Sequence, residues 1–84
     1  MAVANVLSRH MFALGPAKME FILVEAPDTN DTVETRIQHP LYAIAATADI
    51  TTTLVNPSAK VEGKTITIGS NDNTTDILVV VVGY

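Results

Sequence analysis

The chain has no cysteine and no tryptophan. The first absence excludes disulfide bracing and any thiolate-held zinc site. Glycine is scarce, and Gly15, Gly63, Gly69 and Gly83 stand apart, so no glycine-rich phosphate loop is present. Aromatic residues amount to 5%: Phe12, Phe21, Tyr42 and Tyr84, without the basic company that a base-stacking platform needs. Charge is scarce too, at 17% of residues against roughly 25% in an average soluble chain. The five cations, Arg9, Lys18, Arg36, Lys60 and Lys64, are scattered through a chain of net charge −4. Such a pattern offers no basic patch to phosphate, which argues against a nucleic-acid partner, and no polybasic membrane anchor. No stretch approaches the roughly 18 apolar residues of a membrane span. The opening residues do not read as a secretory leader, because Asn5, Ser8, Arg9 and His10 interrupt them.

What is present is apolar. Hydrophobic residues make up 48% of the 84. A chain this short forms one domain and buries only about 60–65% of the surface that its unfolded form exposes. With no covalent brace, the remaining support is oligomerisation or docking on a larger body. Charge depletion fits that expectation, since interface cores are depleted of charge.

The most apolar stretch is Ile77-Leu78-Val79-Val80-Val81-Val82. β-Branched residues favour extended backbone, and an uninterrupted apolar run predicts a strand covered on both faces. Met19 to Ala26 also predicts a strand, with Met19, Phe21 and Leu23 on one face. Asp28 to Asp31 reads as an acidic turn leading to a strand over Thr32 to Gln38, paired antiparallel with the one before. Leu41 to Ile50 fits helical and strand spacing alike; the proline before it and the threonines after it tilt the reading towards strand. Ala59 to Val61 and Lys64 to Ile68 predict a hairpin turning at Glu62-Gly63, with Ile66 and Ile68 facing in. Residues 69–75 read as a polar connection. The expected fold is all-β: a small antiparallel β-sandwich or barrel of six or seven short strands, residues 19–84, behind an extended N-terminal arm, residues 1–18. Within that arm Val6, Leu7, His10 and Met11 could line a short helix, or the stretch could be extended with one weak strand. It could lie on its own domain or on a neighbour.

No catalytic constellation is visible, and the chain is not expected to be an enzyme. His10 and His39 are far apart, and neither spacing nor neighbours suggest a metal or acid–base pair. Ser8, Ser58 and Ser70 lack a nucleophile elbow. Asp72-Asn73-Thr74-Thr75-Asp76 places oxygens at alternate positions like a calcium loop. It lacks the loop's mid-point glycine, and Gly83 stands where a glutamate belongs, so a solvated hairpin loop is expected. Asn30-Asp31-Thr32 and Asn73-Thr74-Thr75 match the glycosylation triplet, with no consequence expected without a secretory leader. No cofactor or metal is expected.

The opening Asn5-Val6-Leu7-Ser8-Arg9, the strand entry Lys18-Met19-Glu20 and the apolar finish Val82-Gly83-Tyr84 resemble small structural proteins of tailed bacteriophages. The chain is most similar to the cement, or decoration, proteins of the capsid. That resemblance implies a virion protein, assembled in the host cytoplasm, that binds the outer surface of an assembled shell. It implies the major capsid protein as partner and a homo-oligomer, with a trimer favoured. Residues expected at the partner interface are Asn5, Leu7, Met11 and Phe12 of the arm, together with Tyr84. Alternatives are a phage neck or tail component and a small β-sandwich ligand-binding module.

Overall fold

A computed structural model of the chain describes residues 3–25, 27–28, 30–47, 57–69 and 75–84. The architecture is all-β and built from two antiparallel sheets. The strands are β1 (Val6–Leu14), β2 (Ala17–Val24), β3 (Asp31–Glu34), β4 (Pro40–Thr47), β5 (Ser58–Glu62), β6 (Thr65–Gly69) and β7 (Ile77–Gly83). One sheet has four strands in the order β1-β2-β7-β4, and the other has three in the order β3-β6-β5. The strand β7 therefore lies inside the larger sheet, flanked by β2 and β4. Its β-branched run gives the ladder two partners, with Val79 opposite Ile22 on one side and Ala45 on the other.

The core lies between the sheets. Ile22, Val24, Ile77, Val79 and Val81 point inward from the larger sheet, and Val33, Ile66 and Ile68 from the smaller one, all buried. Burying each such side chain contributes roughly 1.5–3 kcal/mol before chain entropy is set against it. Ile37 closes one end of the core although it belongs to no strand.

The region expected as an arm is a strand. Val6–Leu14 pairs along β2 and turns into it through Gly15-Pro16. Ahead of it, Val3 bridges to Thr32, the Ala4 N–H donates to the Thr32 carbonyl at 2.7 Å, and Ala4 is buried. The stretch packs on its own domain and spans both sheets, and no helix forms there. Alternation fails as a guide because the register shifts between Val6 and Ser8; an extra residue in one strand moves every later side chain to the other face.

Three further expectations change. The strand β3 pairs with β6 and not with β2: Pro27 is buried and Asn30 takes φ 71°, carrying the chain across to the second sheet. The predicted strand over Thr32 to Gln38 leaves its ladder after Glu34, with a last bond from the Thr35 N–H to the Lys64 carbonyl at 3.0 Å, yet Thr35 and Ile37 remain buried, so the alternation reports burial beyond the end of the strand. The hairpin turns at Gly63-Lys64, one residue later than expected, because Glu62 pairs with Thr65 and the positive φ of Gly63, 65°, belongs at the first turn position. Its inward pair, Ile66 and Ile68, is as expected. Leu41 to Thr47 is strand, and the remainder of that stretch, residues 48–50, lies outside the described residues. So do Ala26 and most of the polar connection, residues 70–74.

Candidate interaction surface

Inner and outer side chains alternate along β2 and β7, and the outer ones are apolar as well. Cross-strand register groups the outer side chains shared by all four strands into three rows, and Leu14 opposite Ala17 continues the face past the first row on β1 and β2. In the first row, Phe12 pairs with Met19, Met19 with Val82, and Val82 with Tyr42. In the second, His10 pairs with Phe21, Phe21 with Val80, and Val80 with Ile44. Ser8, Leu23, Leu78 and Ala46 form the third. No Asp, Glu, Lys or Arg projects from these rows. Among the described residues nothing covers them: Tyr42 is 69% exposed, Ile44 63% and Phe12 52%. The rings of Phe12 and Phe21 meet edge to face at 5.5 Å between centroids, holding one bulky end of the face in place. A shallow open hollow of about 530 Å³ lies beside Ser8, His10, Phe12, Phe21, Leu23, Thr47 and Leu78.

The inner side of the same sheet carries one polar cluster. The Glu20 carboxylate is fully buried. Its Oε1 accepts from Thr35 Oγ1 at 2.6 Å and from the Arg36 N–H at 2.9 Å. Its Oε2 accepts from Arg9 Nη1 at 3.2 Å, and the same Nη1 donates to the Glu34 carbonyl at 2.9 Å. The Ile37 N–H donates to Thr35 Oγ1 at 3.2 Å. Every oxygen of the carboxylate is thus matched, and the cluster ties β1 and β2 to the segment after β3. The carboxylate of this structural clip is itself sealed from solvent, while Arg9 also lines a hollow of about 310 Å³ beside Val3, Thr32, Glu34 and Thr65.

The residues expected at a partner interface do not form one patch. Phe12 belongs to the outer face, whereas Met11, one residue earlier, is exposed on the side of Glu20. Leu7 sits exposed at the register shift. Asn5 is exposed and its carbonyl accepts from the Glu25 N–H at 2.9 Å. Tyr84 is exposed, and its ring lies 5.1 Å from the His39 ring while the two backbones exchange hydrogen bonds. Sequence reasoning missed Tyr42, Ile44 and the outer rows of β2 and β7. Their signal was available in strands apolar on both faces.

Ser8 and His10 both line the hollow, on the outer face of β1, and His39 lies against Tyr84. Among the described residues no group of three His, Cys, Asp or Glu side chains could hold a metal ion. Most of the calcium-like stretch, Asp72-Asn73-Thr74, lies outside the described residues, as do Ser70 and most of the second glycosylation triplet; Thr75 beside it is buried. Among the described residues no helix is long and apolar enough to cross a membrane. No protein-family model matches the chain, and no curated protein or solved structure matches it.

Proposed function

We propose that this chain is a non-catalytic virion structural protein of the capsid cement type. It binds the outer surface of an assembled phage shell and stabilises it through apolar and strand-edge contacts with the major capsid protein. One observation supports this reading above the others. The nine-residue β1 stands at the edge of its sheet with Leu7, Met11, Phe12 and Leu14 exposed. An edge strand presents unpaired N–H and C=O groups that recruit another strand, and soluble proteins usually guard it with lysine, proline or brevity. Here the strand is long and its single cation, Arg9, is turned back onto Glu20 and Glu34. Past the bulge at Leu7, which is the strand's one irregularity, this long edge turns no charged side chain to solvent and suits strand addition by a partner, in which main-chain bonds give affinity and alternate side chains give specificity.

Mixing the protein with purified, expanded empty shells tests the proposal. Copies bound per particle should saturate in proportion to the capsid subunits. A Leu7→Lys/Met11→Lys variant, altered at exposed positions only, should keep its melting temperature and lose at least about tenfold in affinity. Wild-type protein that fails to sediment with shells contradicts the proposal. A handful of copies at one vertex would point instead to the neck or tail.

A further inference from the structure

The geometry points to a second copy of this chain as the occupant of the outer face of the four-stranded sheet, packed face to face about a two-fold axis. This goes beyond the shell-binding reading, which rests on the edge of β1, and it stands or falls separately.

The shape of the face selects its partner. The first row is bulky at both ends, with Phe12 and Tyr42. The third is small at both ends, with Ser8 and Ala46, and the hollow of about 530 Å³ runs along β1 and β2 from Phe12 past His10 and Phe21 to Ser8. An axis lying in the interface and crossing the strands along the second row sets the first row of each copy on the third row of the other. Phe12 then enters the hollow beside the other copy's Ser8, and Tyr42 covers Ala46. The same patch serves both subunits, as a two-fold contact requires.

Charge selects the same arrangement. The rows themselves carry no formal charge, so two copies can meet without burying an unpaired ion. Glu25 follows β2 and Asp76 precedes β7, both beyond the third row. A two-fold axis across the strands sends these acids to opposite ends of the pair. An axis along the strands would stack them. A closed ring of three needs this face to meet a different surface of its neighbour. The outward side of the smaller sheet carries exposed Glu34, Lys60 and Glu62, which an apolar face would strip of water without partners.

The area is adequate for a small dimer. Four strands about 4.8 Å apart and the seven residues of β7 at about 3.4 Å each span roughly 19 by 24 Å, or about 450 Å² in projection. The relief of the side chains raises the accessible figure towards the roughly 600–1,000 Å² per partner of stable interfaces.

Sedimentation equilibrium of the full chain, with two sets of variants, tests the pairing. The wild type should show twice the 9.0 kDa chain mass. A mass of one chain at all concentrations, or of three, overturns the proposal. Ile44 lies on the axis row of the exposed edge strand β4, so Ile44→Lys should weaken self-association at least tenfold with an unchanged circular dichroism spectrum; an undiminished dimer overturns the proposal. The pairing also predicts which cysteines meet. A Tyr42→Cys/Ala46→Cys double variant should oxidise to a covalent dimer, while each single variant stays uncrosslinked. Crosslinking of Tyr42→Cys alone, or none in the double variant, overturns the register. Shell binding is scored apart from mass: a monomer that decorates shells defeats this pairing and leaves the cement reading intact, and a dimer that ignores shells does the reverse.

Discussion

Along β7, Ile77, Val79 and Val81 are fully buried, whereas their neighbours Leu78, Val80 and Val82 are only half-buried. The residue types are nearly the same, and the strand is the same. What differs is the cover. The inner row faces β3, β5 and β6; the outer row faces nothing among the described residues. The comparison teaches that composition alone does not say which face is the core. The second sheet decides it, by reaching one side only. The other side keeps a core-like composition, and an exposed apolar face of that kind marks a candidate interaction surface.

The sharpest way to break the comparison is to place the same charge on each face. Val79→Asp puts an unpaired carboxylate among buried isoleucines and valines, and should cost more than about 4 kcal/mol, enough to unfold a domain of this size. Val80→Asp, one residue on, should cost about 1 kcal/mol or less in the isolated subunit and act instead on self-association. Urea unfolding followed by circular dichroism separates the two. Equal losses would mean that the faces are not different.

A second set of variants tests the polar clip on the inner face. Glu20→Met removes the acceptor shared by Thr35, the Arg36 N–H and Arg9, and should cost about 3–5 kcal/mol. Arg9 retains some solvent contact, so Arg9→Met should cost less, at about 2–3 kcal/mol. A double-mutant cycle by urea unfolding measures their coupling, and additive losses would show that the clip does not act as a unit. The clip also makes truncation a poor test of partner binding. Removing the residues up to Phe12 takes away buried Ala4 and most of β1, and leaves the Glu20 carboxylate without its cation.

Much of the fold was legible because burial writes alternation into the sequence. Ile66 and Ile68 are placed inward by it, and the strand over Met19 to Ala26 rests on it; the terminal valine run reads as strand from β-branching and its uninterrupted apolar character. Pairing was less legible than burial. Nothing local to Thr32 and Val33 says that their partner is β6, because that choice depends on where Pro27 and Asn30 send the chain. The strand β1 was obscured by its register shift, which breaks the period of two within its first residues. The candidate surface was legible in part. The terminal run predicts cover on both faces, and the described residues supply cover on one. The exposed pair Tyr42 and Ile44 was hidden because Leu41 to Ile50 matched two periodicities equally well. Phe12 lies in the outer rows, whereas Met11 beside it points the other way.

The central claim is that the outer face of the four-stranded sheet is covered in the assembled protein. Methyl NMR with a soluble nitroxide added reads this directly. If the face is an interface, the methyl signals of Leu78, Val80 and Val82 in the wild-type protein resist broadening as well as those of Val79 and Val81, and become sensitive in Ile44→Lys. Outer methyls that broaden in the wild type at high concentration, while the inner ones stay sharp, would contradict the account.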